Sequence, residues 1–170
     1  EVKAIKEVRR GRIKEYVATH PQAEYHEGCS GVWSVKGDIA LPCATQNEID
    51  LEAAKILVAN GVKAVGEGAN MPSALEAIAY FQGNQVLFAP AKAANAGGVA
   101  VSALEMSQNS LRYRWTFEEV DSKLKDIMKN IFEDAKSTAE EYGCPGDLVA
   151  GSNIVSFVKV ADIMLANGLV

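Results

Sequence analysis

Short polar side chains follow three apolar segments of this sequence, each at the point where a strand is expected to end. The three segments are 41–48, 66–72 and 90–102, and their amide and hydroxyl residues include Thr45, Gln46, Asn70, Asn95 and Ser102. Amides offer hydrogen-bond donors and an acceptor, and a hydroxyl donates to a carboxylate. Because ligands of open α/β sheets bind at the carboxyl ends of the strands, these residues are candidate ligand contacts.

The segment 90–102 carries the strongest signal of the three. It runs from an apolar strand through Gly97 and Gly98 into a helix of small residues, with Ser102 one turn after Gly98. Two glycines permit close approach to the backbone, which is one way to accept a ligand. Small residues at this spacing also suit helix–helix packing, and the residues alone leave these two interpretations even.

The other two segments also have more than one interpretation. Residues 66–71 nearly match GxGxxG, but Met71 replaces the third glycine, so the motif predicts phosphate binding only weakly. Asn70 suits a ribose hydroxyl or a carboxamide, or it caps the loop locally. Thr45 with Glu48 matches a capping box for the next helix, and Thr45 and Gln46 equally suit a ligand at that helix N-terminus.

Hydrophobic periodicity predicts that helices and strands alternate through the first half of the chain. Such alternation favours an α/β fold with a parallel sheet, here followed by three helices. The predicted helices cover 1–19, 48–60, 74–81, 96–113, a segment capped by Thr116 with Glu119, and 152–166, and the strands cover 38–42, 62–67 and 86–88.

Composition and charge exclude several classes of function. The 170 residues are 48% hydrophobic with a net charge of −5, which suits one compact soluble unit and argues against a nucleic-acid partner. No run is expected to reach the ~20 apolar residues of a membrane span. Three widely spaced cysteines fit free thiols in the cytoplasm, and two histidines without a CxxC argue against a metal site. No catalytic set of residues is evident.

Four blocks of sequence together resemble the C-terminal half of the hexameric bacterial glutamate dehydrogenases. The blocks are 42–50, 67–72, 94–99 and 105–109, which occur in the family's order and spacing. The resemblance covers essentially the whole chain, including residues 148–154 before the last helix.

This resemblance implies a Rossmann-like coenzyme domain of an enzyme that oxidatively deaminates L-glutamate to 2-oxoglutarate and ammonia, with hydride transfer to NAD or NADP. It implies that Thr45 and Gln46 form a turn close to the coenzyme, and that Asn70 and Asn95 contact its nicotinamide side. It further implies that Val99 and Ser102 line the glutamate pocket, where Ser102 meets the side-chain carboxylate. The same resemblance implies a homo-oligomer, hexameric for the full chain, and the free cysteines predict a cytoplasmic location.

Departures from the family pattern predict a truncated coenzyme domain over residues 1–170. The family's glycine-rich pyrophosphate turn, its coenzyme-selecting strand and its catalytic lysines and aspartate have no counterpart in this sequence, which opens at Glu1 inside a helical pattern. The chain alone is therefore expected to be inactive, and the choice between NAD and NADP stays open. Two alternatives are a non-catalytic binding module and a dehydrogenase for another amino acid, although Ser102 suits an apolar side-chain pocket poorly.

Overall fold

The computed structural model describes residues 1–168, which divide into two compact units, Glu1–Val32 and the chain from Trp33 onward. A single unit was expected from the composition. The first unit contains a π-helical turn at Ala4–Val8, a 3-10 turn at Ile13–Glu15 and helix α1 at Tyr16–Thr19.

The predicted continuous helix over residues 1–19 is wrong. The helical turns are interrupted at Arg10, which has a left-handed φ of 52°, and at Gly11. Glycine is a poor helix former, and the Glu15 carboxylate accepts the Arg12 N–H at 2.9 Å, which begins a new turn. The break therefore follows from local hydrogen bonding that the apolar spacing does not reveal.

The second unit is built on three parallel strands. They are β1 (Ile39–Ala40), β2 (Ala64–Gly66) and β3 (Leu87–Ala89), arranged in the order β1-β2-β3. Val65 of β2 pairs with Ala40 of β1 and with Phe88 of β3. The predicted parallel α/β sheet is confirmed, and its topology places the carboxyl ends of all three strands along one edge.

Two helices connect these strands, α2 at Leu51–Ala59 and α3 at Leu75–Gly83. The predicted cap at Thr45 is wrong, because Asp50 caps α2 by accepting the Ala53 N–H at 2.8 Å. Glu48 instead accepts the Ala44 N–H at 2.9 Å and closes the loop before α2. The N-cap of α3 is Ala74, which makes no side-chain capping hydrogen bond.

One hydrophobic core lies between the sheet and these helices. Phe81 of α3 is fully buried and stacks on Phe88 of β3, with ring centroids 6.0 Å apart. Burying one such side chain contributes about 1.5–3 kcal/mol. Residues of the first strand alternate in exposure: Ala40 faces the core, while Ile39 is 64% exposed.

The second half of the unit is helical. A short helix, α4 (Ala91–Ala94), precedes three long ones, α5 (Ala96–Leu111), α6 (Phe117–Glu141) and α7 (Leu148–Asn167). The predicted set of three helices is confirmed. So is the capping box of α6, in which Thr116 Oγ1 accepts the Glu119 N–H at 3.2 Å. Helix α7 begins four residues earlier than predicted, because Asp147 caps it.

Helix α7 combines a packed end with an exposed apolar face. Gly151 and Ser152, in its first turns, are buried, whereas Phe157 and Val160 are 71% and 57% exposed. By length and composition alone, this 20-residue helix is long and apolar enough to cross a membrane. The expectation that no segment of the chain reaches that length is therefore wrong.

Candidate functional site

Three loops leave the carboxyl ends of the strands and run side by side. The loop after β1 is joined to the loop after β2 by backbone hydrogen bonds from Asn47 N–H to the Met71 carbonyl (3.0 Å) and from Ile49 N–H to the Pro72 carbonyl (2.9 Å). The N–H of Gly68 also donates to the Pro42 carbonyl at 3.0 Å. These bonds hold the two loops in a fixed register at the sheet edge.

The loops and the first turns of α5 enclose a groove of about 620 Å³. Among the described residues that line this groove, none carries a formal charge at neutral pH. The lining residues are Cys43, Ala44, Gln46, Gly68, Ala69, Asn70, Asn95, Gly98, Val99 and Ser102.

Asn70 and Asn95 meet directly within the groove. The Nδ2 group of Asn95 donates to Asn70 Oδ1 at 2.7 Å and to the Ala69 carbonyl at 3.0 Å. Both amide hydrogens of Asn95 are thereby used. The Oδ1 atom of Asn95 and the NH₂ group of Asn70 are the remaining hydrogen-bonding groups of the pair, one acceptor beside two donor hydrogens.

Gln46 and Thr45 are placed differently, although they are neighbours in sequence. Gln46 lines the groove, whereas Thr45 is exposed in the same loop and is not among the lining residues. The α2 N-terminus, which was expected to bring both side chains to a ligand, begins five residues after Gln46 at Leu51.

Val99 and Ser102 lie on the first turns of α5 and both line the groove. Val99 is 76% exposed. The Ser102 hydroxyl donates to the Gly98 carbonyl in its own helix at 3.2 Å, a long bond for an O–H donor. No atom lies within 4 Å of the position of a Cβ at Gly98, so the groove is open above this turn.

The structure adds lining residues that sequence reasoning missed, namely Cys43, Ala44, Gly68 and Ala69. A Cβ at Gly68 would meet the Cys43 sulfur, and the Cys43 side chain would have to turn aside, so the first two loops cross closely here. The near match to GxGxxG marked this position, although for a different reason.

One ion pair whose pKa values are displaced lies at the opposite end of the sheet. Lys63 Nζ contacts Asp38 Oδ1 at 2.8 Å, just before β2 and β1 begin. This hydrogen bond lowers the pKa of Asp38 and raises the pKa of Lys63. Within residues 1–168, no three histidine, cysteine or acidic side chains come together as metal ligands, and the three cysteines are free thiols.

The side chains of the groove are therefore suited to binding a ligand. Amide and hydroxyl groups beside an open space can orient a neutral polar group or a carboxylate. Abstraction of a proton requires a titratable group within about 3 Å of it. Cys43 is the only such side chain among the described lining residues.

The chain is similar to known dehydrogenases in both sequence and fold. Residues 1–168 match the family model described as Glutamate/Leucine/Phenylalanine/Valine dehydrogenase. The chain is 54% identical over 171 residues to the NADP-specific glutamate dehydrogenase of Salmonella typhimurium, covering 98% of this chain and 36% of that protein. It is 52% identical over 170 residues to the glutamate dehydrogenase of Bacteroides thetaiotaomicron, covering 98% and 37%.

A solved structure is similar to this chain in fold as well as in sequence. The structure of Plasmodium falciparum glutamate dehydrogenase superposes with a TM-score of 0.92 at 48% identity, covering 98% of this chain and 36% of that one. The chain thus spans little more than a third of the length of these relatives. It belongs to the glutamate/leucine/phenylalanine/valine dehydrogenase family.

Proposed function

We propose that the groove holds the nicotinamide end of NAD or NADP in a full-length enzyme that oxidatively deaminates L-glutamate to 2-oxoglutarate and ammonia. The observation that carries this proposal is the hydrogen-bonded pair of Asn70 and Asn95 at the carboxyl edge of a parallel sheet. Family membership and the names of the similar proteins support the substrate. Among the similar proteins, the glutamate dehydrogenases of Salmonella typhimurium and Escherichia coli are called NADP-specific, which favours NADP as the first coenzyme to test.

The donor set of the groove fits this part of a dinucleotide. A carboxamide presents one carbonyl oxygen and one NH₂ group, and the pair of asparagines presents the complementary NH₂ of Asn70 and Oδ1 of Asn95. When bound, the coenzyme supplies the hydride acceptor. The two asparagines and Gln46 would hold and orient it, and the absence of a side chain at Gly98 leaves room beside them. Thr45 stays a proposed contact on the resemblance alone.

Val99 and Ser102 continue the same groove and are proposed to contact the substrate. The long bond from the Ser102 hydroxyl to its own helix is readily exchanged for one to a carboxylate. A charge-assisted hydrogen bond of that kind is roughly twice as strong as a neutral one. Val99 would pack beside the methylene groups of glutamate.

Residues 1–170 are proposed to form the C-terminal part of a coenzyme domain. The rest of the full-length protein would supply the acid–base groups. The described lining of the groove contains no carboxylate, lysine or histidine. The same family membership supports a homo-oligomer and, together with three free thiols, a cytoplasmic location.

The test uses the full-length protein and the variant Asn95→Asp. An aspartate has the size of asparagine but cannot donate, so it would face two acceptors, Asn70 Oδ1 and the Ala69 carbonyl. Losing such bonds costs about 1–3 kcal/mol, or about a five- to 150-fold weaker Kd for the coenzyme. The matched control is Asn130→Asp on the exposed surface of α6, which should bind normally.

Turnover is measured as formation of reduced coenzyme with glutamate and, separately, with leucine, phenylalanine and valine. A clear preference for glutamate supports the proposal. Faster turnover of an apolar amino acid would reassign the substrate, and normal coenzyme binding by Asn95→Asp would remove the asparagine pair from the site.

A further inference from the structure

Glu67 is a buried carboxylate directly behind the groove. Only 3% of the residue is exposed, and among residues 1–168 it is the one buried ionisable residue. It immediately follows β2 and does not itself line the groove. The groove contacts proposed above leave this residue without a role.

The two carboxylate oxygens of Glu67 accept hydrogen bonds from two different segments. Oε1 accepts the N–H of Ser73 at 3.1 Å, and Oε2 accepts the N–H of Ala91 at 2.8 Å. Ser73 ends the loop after β2, and Ala91 is the first residue of α4 after β3. No ion pair in the described residues includes Glu67, so backbone N–H groups are what stabilise this carboxylate.

Each of these hydrogen bonds fixes one of the groove asparagines. Asn70 lies midway between Glu67 and Ser73, so the first bond closes the loop that carries it. Asn95 lies one helical turn after Ala91, and its backbone N–H donates to the Ala91 carbonyl at 2.9 Å. One side chain therefore sets the separation between the loop of Asn70 and the turn of Asn95.

The chemistry of the position explains why it is a carboxylate. Two backbone N–H groups converge on it, and a carboxylate is the side-chain group that offers two acceptor oxygens and no donor. Burying a charge is costly unless it is fully hydrogen-bonded. A glutamine side chain at this position would accept one backbone N–H and would turn its own NH₂ donor toward the other.

We propose that Glu67 is a positioning residue for the coenzyme, acting through the spacing of Asn70 and Asn95. This inference rests on the proposed function of the groove. Glu67 touches neither coenzyme nor substrate. It holds the two amides at the distance of 2.7 Å at which they bond to each other and present one joint binding face.

The test compares Glu67→Gln with Asp147→Ala in the full-length protein. Asp147 also accepts two backbone N–H groups, from Val149 at 2.9 Å and Ala150 at 3.0 Å, but it caps α7 away from the groove lining. Both variants should lower the Tm. Only Glu67→Gln should raise the Kd and the KM for coenzyme, by about tenfold, because misplacement of a positioning group by about 1 Å has effects of that size or larger.

Equal coenzyme affinity in Glu67→Gln and wild type would overturn the inference while leaving the proposed function intact. Failure of the wild-type protein to bind NADP or NAD would overturn the proposed function, and the inference with it. A rise in Kd that Asp147→Ala reproduces at a similar loss of Tm would assign Glu67 a merely structural role.

Hydrogen exchange in the wild-type protein decides the matter if Glu67→Gln does not fold. The amides of Ser73 and Ala91 should be protected without coenzyme, and saturating coenzyme should slow their exchange about tenfold further, because ligand binding stabilises the bound arrangement. The amide of Val149 should be unaffected. Rapid exchange at Ser73 and Ala91, or no response to coenzyme, would contradict the positioning role.

Discussion

Replacing Gly151 by alanine tests how closely the two last helices pack. Gly151 is buried in the second turn of α7, facing α6. An added Cβ would collide with the Ala135 carbonyl oxygen, and it would lie 2.9 Å from the Ala135 carbonyl carbon and 3.1 Å from the Ala139 Cβ. Most of these obstacles are backbone atoms, so the clash is relieved only by separating the helices.

The magnitude follows from two opposing effects. Overpacking a close contact costs about 1–3 kcal/mol, and a collision with backbone belongs at the upper end of that range. Alanine is favoured over glycine inside a helix by about 1 kcal/mol. The net loss is therefore about 2 kcal/mol, which for a protein of this size lowers the Tm by about 4–8 °C.

Thermal unfolding followed by circular dichroism measures this shift. The matched control is Gly83→Ala at the end of α3, where no atom lies within 4 Å of the new Cβ. The control should keep or slightly raise the Tm. A Tm for Gly151→Ala equal to or above that of wild type would refute the close contact between α6 and α7.

Three further outcomes are expected. Ser102→Ala in the full-length protein should lower kcat/KM for glutamate by roughly ten- to a hundred-fold, because a charge-assisted hydrogen bond of about 1.5–3 kcal/mol is lost. Unchanged steady-state kinetics would show that Ser102 does not contact the substrate. Thr116→Ala should destabilise by about 1 kcal/mol through loss of the α6 capping box, which a urea titration against Thr116→Ser would measure. The 170-residue chain purified alone should be folded, inert and self-associating, because α7 exposes apolar side chains such as Phe157 and Val160. Light scattering from a strict monomer, or measurable coenzyme reduction, would contradict this last expectation.

The strand-end amides could be predicted from sequence because each signal is local. An apolar run followed by small and amide residues marks the end of a strand, and parallel topology then brings the ends together. Asn70 and Asn95, 25 residues apart, are hydrogen-bonded to each other for this reason. The capping box of Thr116 was predictable on the same ground, since both of its partners lie within one turn.

The mistaken predictions arise where several local interpretations compete. Thr45 and Asp50 are both good N-cap residues ahead of α2, and pattern alone does not rank them. Asp50 is the N-cap because Ile49 pairs with Ser73 in a parallel bridge, and this bridge fixes where the helix begins. That bridge joins residues 24 positions apart, so the choice depends on tertiary structure.

The hydrogen bonds of Glu67 also depend on tertiary structure, and the sequence gives even less sign of them. In sequence it is one residue of a glycine-rich turn, where an acidic side chain is usually solvated. Its two hydrogen-bond partners, Ser73 and Ala91, are backbone groups, and every residue type except proline offers the same N–H. Side-chain patterns therefore carry no trace of the interaction, and only the fold reveals it.

Because the groove lining is uncharged, the groups that bind ligand and the groups that transfer protons would lie on different parts of the full-length enzyme. A proton is moved only by a titratable group within hydrogen-bond reach, and the described lining offers amides, a hydroxyl and one thiol. The same open edge that leaves Gly98 and Val99 exposed would give a second set of residues access to a substrate bound there. Binding groups on this chain and acid–base groups approaching from the open side would then meet only when the groove is covered. Closure would assemble the catalytic set and exclude water in one step.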